Sequence, residues 1–497
     1  MQGTLRGLNV QSDQESILLR VGYWLLPVFF LIMQATFTYA ALHRLWYEDL
    51  AESIRNVYWF EHNRVYNGGS TMVGWYGLVL GYYKAFGFSP VAAKWLKFVL
   101  AGSSWFAAAY VLKYVLGYRK ALVPLCAFAL SPIALYFNTF QYPMGLDLLF
   151  FPLEVCLFIF ISKASLRGAC ILTFCAGTLA MLASMSYPTY LFYLPACVFL
   201  LHWVWQTQEK CFWRFALPIS FAGFMTPFLC VWTYLDNFSL FMSDATHSGT
   251  GIFRGGATFK GLSFELYGDN LMRTLKDFFV AADSYYFYLP ESDFSSWLGF
   301  ISVLAVGILI VLAMGESKQM KVVCLLTVFL MLVALLLPAA GTTTPGGRRS
   351  TGFLMGFYVL FVIGWNYAWT VLQGHKRTLA LSALSLLVVQ HLWAISPNLE
   401  HVSKERTLSA EPFFPSDQDP NASLAFWYAR AQNGEPLVCH TYREFKRYCR
   451  FDEIFAVIQG HRLWNLGLRD ELKLFALTEK LQEPFALSFE TPSPPPQ

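Results

Sequence analysis

The chain has 497 residues, of which 56% are hydrophobic and only 14% charged. A soluble globular protein carries roughly 25% charged residues, so this composition excludes a chain whose surface faces water throughout. The formal net charge is +4 at pH 7, with basic residues in short clusters between apolar runs, which excludes a basic nucleic-acid-binding face.

A spanning helix needs about 20 mostly apolar residues. Taken in chain order, such runs occur at 21–42, 93–116, 121–137, 146–161, 168–187, 191–206, 215–235, 297–314, 322–339, 352–372 and 379–395. They predict an all-α polytopic membrane protein with about eleven spans. The first run is too long for the apolar core of a signal peptide and lacks a small-residue cleavage site, so it reads as an uncleaved span. The run at 73–86 is short and carries Tyr76, Tyr82 and Tyr83, which predicts an interfacial or re-entrant helix. The 18% aromatic content fits belts at both membrane surfaces.

Basic residues set the orientation. Arg6 and Arg20, Arg119 and Lys120, Lys163 and Arg167, Lys210 and Arg214, Lys318 and Lys321, and Lys376 and Arg377 fall in every second loop. Those loops and the N-terminus are expected in the cytoplasm, and an odd span count puts the C-terminus outside. The non-cytoplasmic side then holds the outer loops 43–72 and 236–296. It also holds a C-terminal region, 396–497, the size of a small domain and expected to be α/β. The transmembrane domain is residues 1–395. Cys439 and Cys449 in the C-terminal region either form a disulfide, if they face an oxidising compartment, or stay free thiols. No CxxC pair or Cys/His cluster is present, and His202 and His391, near span ends, read as interface histidines.

Three features offer chemistry. Glu48, Asp49 and Glu52 follow the first span; a helix here would put Glu48 and Glu52 on one face, with Arg55 in reach. Such carboxylates suit general-base work, or form a solvated acidic loop paired with Arg55. Asp147 opens the fourth span and Glu154 follows two turns later on the same face. Ionisable residues inside a membrane segment point to function, against helix capping for Asp147 and a hydrogen-bonded structural role for Glu154. Arg348 and Arg349 end a Gly/Thr-rich loop before the tenth span, on the side where basic residues are otherwise scarce. Helix-start amides and Arg forks match phosphate oxygens; the other readings are lipid headgroups or the acidic loop. Arg254 and Lys260 in the Gly-rich loop are further anion contacts or merely solvated, and Tyr187, in Tyr187-Pro188-Thr189-Tyr190, either lines a cavity or anchors a span end.

In order, these features resemble the GT-C polytopic glycosyltransferases, of the protein-mannosyltransferase and aminoarabinose-transferase type. The resemblance runs over 17–395: Trp46 to Glu52 behind the first span, the amphipathic stretch Trp75 to Phe86, then Phe86-Gly87-Phe88-Ser89-Pro90, Leu130-Ser131-Pro132, Met144 to Phe151, Tyr187-Pro188-Thr189 and the Arg348, Arg349 pair. The chain departs from the family at Gly68-Gly69-Ser70-Thr71-Met72, where a Lys or His with prolines is usual. The resemblance implies transfer of a sugar from a polyprenyl-phosphate carrier to a lipid, glycan or protein acceptor on the non-cytoplasmic side of a plasma (inner) membrane. Asp49 would be the base with Glu48 and Glu52 beside it, Asp147 a positioning group, and Arg348 and Arg349 the contacts of the carrier phosphate. Tyr187 and Glu154 would line the substrate cavity. No cofactor is firmly expected, with a divalent metal left open. The partners implied are the lipid-linked donor, the acceptor, membrane lipids and other subunits, but no nucleic acid. Two alternatives stand beside this reading, a non-catalytic GT-C-like scaffold subunit and a polyisoprenoid lipid transporter or flippase.

Overall fold

A computed structural model describes residues 17–42, 57, 60–61, 72–86, 92–139, 143, 145–207, 211–236, 264–279, 283–284, 287–288, 293–339, 351–403, 437–441 and 485–489. The chain is a helical, multi-pass membrane protein. Among the described residues, eight helices are long and apolar enough to cross a membrane. The first half comprises α1 (Ile17–Leu42), α2 (Val73–Phe86), α3 (Ala92–Leu116), α4 (Tyr118–Ala129), α5 (Pro132–Phe137), α6 (Leu146–Lys163) and α7 (Leu166–Ser186). A 3-10 turn, Pro188–Tyr193, leads into α8 (Leu194–Thr207), and a π turn, Phe212–Ala216, leads into α9 (Leu217–Tyr234). The second half comprises α10 (Phe264–Phe279), α11 (Asp293–Met314), α12 (Lys318–Ala339), α13 (Thr351–Thr370) and α14 (Gly374–Ser403). Two small antiparallel pairs complete the described elements: β1 (Asp283–Ser284) with β2 (Phe287–Tyr288), and β3 (Leu437–Thr441) with β4 (Phe485–Phe489).

Three of the expected spans differ from simple crossing helices. The run at 121–137 is two helices, because Pro132 opens α5 with no backbone N–H to continue α4 and Ser131 stands between them. The run at 146–161 is α6, whose 18 residues reach roughly 27 Å and carry Asp147, Glu154 and Lys163. The run at 191–206 gives up its start to the 3-10 turn, which leaves α8 only 14 residues. The last expected span, ending at 395, continues unbroken to Ser403. The run at 73–86 is a 14-residue helix, too short to be among the candidate spans; α2 buries Trp75, Tyr76, Val79 and Tyr83 and packs on α7.

The packing order positions the site. α1 lies on α3 and α14; α3 lies on α6; α6 is flanked by α7 and α8; and α7 carries α9 on its outer side. α13 touches α4, α6, α11, α12 and α14. It is the central helix, with 67% of its span residues buried against 11% for the span ending α9. α6 and α13 therefore form an inner pair, and side chains between them are shielded from lipid. His391, expected at an interface, is instead buried in the packed face of α14.

The two ends of the bundle differ in chemistry. The end holding the α6–α7 and α13–α14 connections gathers basic and aromatic groups: Lys163 lies 4.2 Å from the Tyr114 ring centroid and Arg377 lies 4.5 Å from that of Trp369. These are cation–π contacts of the kind that anchor an interface. The other end holds the starts of α3, α6 and α13 and the end of α7, and it carries the candidate site.

Candidate functional site

Asp147 sits in the first turn of α6. The turn before it runs through Gly145, whose φ of +74° is a left-handed conformation that a side chain strains. A Cβ at Gly145 would also lie 3.0 Å from Phe137 Cβ, so the glycine lets the end of α5 press on the start of α6. That press directs Asp147 inward, where it is 0% exposed.

Three hydroxyls converge on one oxygen of this carboxylate. Thr189 Oγ1 donates to Asp147 Oδ2 at 2.9 Å, and Tyr193 OH donates to it at 3.2 Å. Thr351 Oγ1, from the first residue of α13, donates to the same Oδ2. Local sequence explains two of these donors. Tyr187 is extended and Pro188 cannot continue α7, so the chain turns into a 3-10 segment that runs back against α6. The segment carries Thr189 and Tyr193 to the carboxylate, and Thr351 joins α13 to it. One acidic side chain thus ties three elements together.

The cluster has spare polar capacity. Asp147 Oδ1 and Glu154 Oε2 are buried with no hydrogen-bond partner among the described residues. Glu154 is 1% exposed and lies two turns along α6 from Asp147. Its carboxyl is near Tyr190 and Cys197, which are both buried. The rings of Tyr190 and Tyr193 lie 5.2 Å apart, and that of Phe151 lies 5.1 Å from Tyr193. Unsatisfied polar atoms cost about 1–3 kcal/mol each when buried, so their grouping here makes this a candidate site.

An apolar cavity of about 440 Å³ adjoins the cluster. Tyr193 is the hinge between the two, because it lines the cavity and bonds Asp147. Other walls are Leu112 of α3, Phe151 and Pro152 of α6, Leu330 of α12 and Val359 of α13. The volume lies in the range of roughly 300–1,000 Å³ usual for small-molecule pockets. Its lining suits a hydrocarbon.

Of the residues expected to act, Asp147, Glu154 and Tyr187 lie among those described. The first two share the cluster. Tyr187 and Glu154, expected along the substrate cavity, are not among the residues lining the apolar one, whereas Pro152 and Val155 of α6 are. Tyr187 is buried with its backbone shaping the turn, its N–H donating to Ala183 O and its carbonyl accepting from Tyr190 N. Glu48, Asp49, Glu52, Arg254, Lys260, Arg348 and Arg349 lie outside the described residues. Among the described residues, no three His, Cys, Asp or Glu side chains come together to hold a metal ion.

Sequence reasoning passed over the hydroxyls around Asp147, since Thr189, Tyr193 and Thr351 are ordinary residues until the fold assembles them. It also passed over Lys94 and Lys97, which are 2% and 0% exposed on α3. Two lysines one turn apart inside an apolar run were a readable signal. No family model matches the chain, and no curated protein and no solved structure does either.

Proposed function

We propose that this protein is a membrane glycosyltransferase that moves a sugar from a polyprenyl-phosphate carrier to an acceptor on the non-cytoplasmic side of a plasma (inner) membrane. The observation that carries the reading is the buried Asp147 cluster abutting an apolar cavity through Tyr193. A lipid-linked donor needs both, an apolar slot for its chain and polar groups that orient its head.

In this reading Asp49 takes the proton from the acceptor hydroxyl, with Glu48 and Glu52 as neighbours. The acceptor oxygen bonds to the anomeric carbon, and the bond from that carbon to the carrier phosphate breaks. The electron pair leaves on the phosphate, where Arg348 and Arg349 stabilise it, helped by Arg254 and Lys260. Asp147 is a positioning residue, because its hydroxyl partners hold it rigid at the head of the cavity. The two α4–α5 pieces, α6 and α8 complete the crossing set to about eleven spans. The N-terminus is cytoplasmic and the C-terminal region forms a small α/β domain outside.

The test is sugar transfer by purified, reconstituted protein given radiolabelled polyprenyl-phosphate sugars and a mixture of lipid and protein acceptors. Labelled product that disappears in Asp49→Asn and falls sharply in Arg348→Ala supports the reading; folded protein that transfers nothing across a broad donor panel refutes it. One observation favours a second reading, a polyisoprenoid lipid transporter or flippase: Glu154 lies deep in α6 with an oxygen that has no partner among the described residues. Glu154→Gln separates the two. It should leave transfer within a few-fold of wild type, whereas in a flippase it should stop lipid translocation in vesicles.

A further inference from the structure

The end of the bundle opposite the candidate site carries cations where helix electrostatics disfavour them. α4 begins at Tyr118 with Arg119 and Lys120 in its first turn, and α14 begins at Gly374 with His375, Lys376 and Arg377 in its first turn. Neither first turn holds an acidic residue, and Gly117 gives α4 no side-chain cap. A helix start carries partial positive charge and favours an anion, so both helices open with the wrong sign. The bias of basic residues toward one side of a membrane accounts for their presence in these connections. It does not account for what they pack on.

The packing gathers cations from both helices on one aromatic ring. Arg377 lies 4.5 Å from the Trp369 ring centroid, and Arg119 lies 5.7 Å from it. Trp365, one turn earlier on α13, donates its Nε1–H to Lys120 O at 2.7 Å, which ties the start of α4 to the same aromatic face. Lys120 and Arg377, both half-buried, are thereby held close enough to repel one another. Among the described residues, no carboxylate pairs with either of them. Glu316, on the α11–α12 connection, accepts from Tyr367 of α13 instead. Lys163 at the same end is different, since it donates to Tyr110 OH and lies over the rings of Tyr110 and Tyr114. Like charges held together in partial burial without a counter-ion are a strain that a bound anion relieves.

Apolar surface begins next to these cations. Pro124, one turn from Lys120 on α4, lines the apolar cavity. Val115 near the end of α3 lines it too, as does Val362, which shares the Trp365 and Trp369 face of α13. Leu379, two residues beyond Arg377, is exposed, and so is Val371. Cations bordering apolar surface match the two parts of a phospholipid, whereas a free anion would use only the first.

We propose that Lys120 and Arg377, set on Trp369, bind the phosphate head of an anionic phospholipid from the leaflet that meets this end of the bundle. Arg377 offers a planar fork that matches phosphate oxygens, and Lys120 adds a compact charge with several N–H donors. The site lies away from Asp147 and is independent of sugar transfer.

The experiment is native mass spectrometry of full-length protein in detergent, titrated with phosphatidylglycerol or phosphatidylcholine. Each basic residue at a membrane surface is worth about fivefold in affinity for anionic lipid. Wild type should therefore bind phosphatidylglycerol at least about tenfold more tightly than phosphatidylcholine. Lys120→Gln and Arg377→Gln should each lower phosphatidylglycerol affinity about fivefold and leave phosphatidylcholine binding unchanged. Lys120→Arg, which keeps the charge, should bind as wild type does, and Lys120→Met replaces the glutamine variant if that one does not fold. Lys163→Gln, which removes a cation already held by two tyrosines, should change nothing. Equal affinity for the two lipids, or for wild type and the folded neutral variants, overturns the proposal. A loss in Lys163→Gln as large as that in Lys120→Gln also overturns it, by showing diffuse surface charge and no site. Inorganic phosphate in excess should leave the lipid bound; its displacing the lipid would make this a free-anion site and reject the phospholipid.

Discussion

Two helix seams in this molecule solve the same problem by opposite means. At the α7–α9 seam the helices meet backbone to backbone. A Cβ on Gly223 would lie 2.1 Å from Phe174 O, and one on Gly177 would lie 2.1 Å from Ser220 O. Thr178 Oγ1 donates across the seam to Gly223 O at 3.1 Å. At the α6–α13 seam a single carboxylate gathers three hydroxyls, two from the 3-10 turn and one from α13. In lipid there is no hydrophobic gain in joining two apolar helices, so association comes from close packing or from polar bonds. The glycine seam is closed by backbone packing and one hydroxyl bond. The carboxylate seam leaves buried oxygens without partners among the described residues, and a surplus of this sort is what a ligand site needs and a structural joint does not.

Substitutions should separate the two seams. The largest effect belongs to the glycines. Gly223→Leu should prevent recovery of folded protein, and Gly223→Ala should cost about 1–3 kcal/mol, read as a lowered midpoint in thermal unfolding by circular dichroism in micelles. In an assay of the proposed sugar transfer, any Gly223→Ala protein that folds should match the wild-type rate per molecule. Asp147→Asn should do the reverse, folding while transfer per molecule falls by up to about 10²-fold, the cost of misplacing a reacting group by an ångström. If Asp147→Asn lost only stability, the carboxylate would be a joint like the glycines and the contrast would collapse. A smaller change follows from Tyr193→Phe, which removes one donor to Asp147 and should cost about 0.5–1.5 kcal/mol in the same unfolding assay. Smallest of all, Lys163→Met at the opposite end removes a cation–π contact with Tyr114 and should cost about 0.5–1 kcal/mol, with no change in transfer.

The membrane character and the long helices were readable from the chain. α1, α3, α7, α11 and α12 follow from continuous apolar runs, because a spanning helix satisfies its backbone within itself and needs no distant partner. The reading weakened where a local stop was averaged away. Leu130-Ser131-Pro132 splits one run into α4 and α5, and Tyr187-Pro188 shortens α8, yet hydropathy summed over a window registers neither. The candidate site was half legible. Asp147 and Glu154 stood out as ionisable residues in an apolar run, and their shared face followed from helical geometry.

Their surroundings were another matter. The donors to Asp147 lie 42, 46 and 204 positions away along the chain, and threonine and tyrosine hydroxyls carry no signal until they meet. The chain by itself determined that this protein lives in a membrane, where its helices run and which charges they would have to bury. Only the tertiary structure decided that Asp147 is clasped by Thr189, Tyr193 and Thr351, that Tyr193 also faces an apolar cavity, and that Lys94 and Lys97 are enclosed at the same end. The reason is physical: helix formation in lipid is a local requirement of each segment's own backbone. A buried polar cluster is a non-local one, built from whichever side chains the packing of separate helices brings within hydrogen-bond reach.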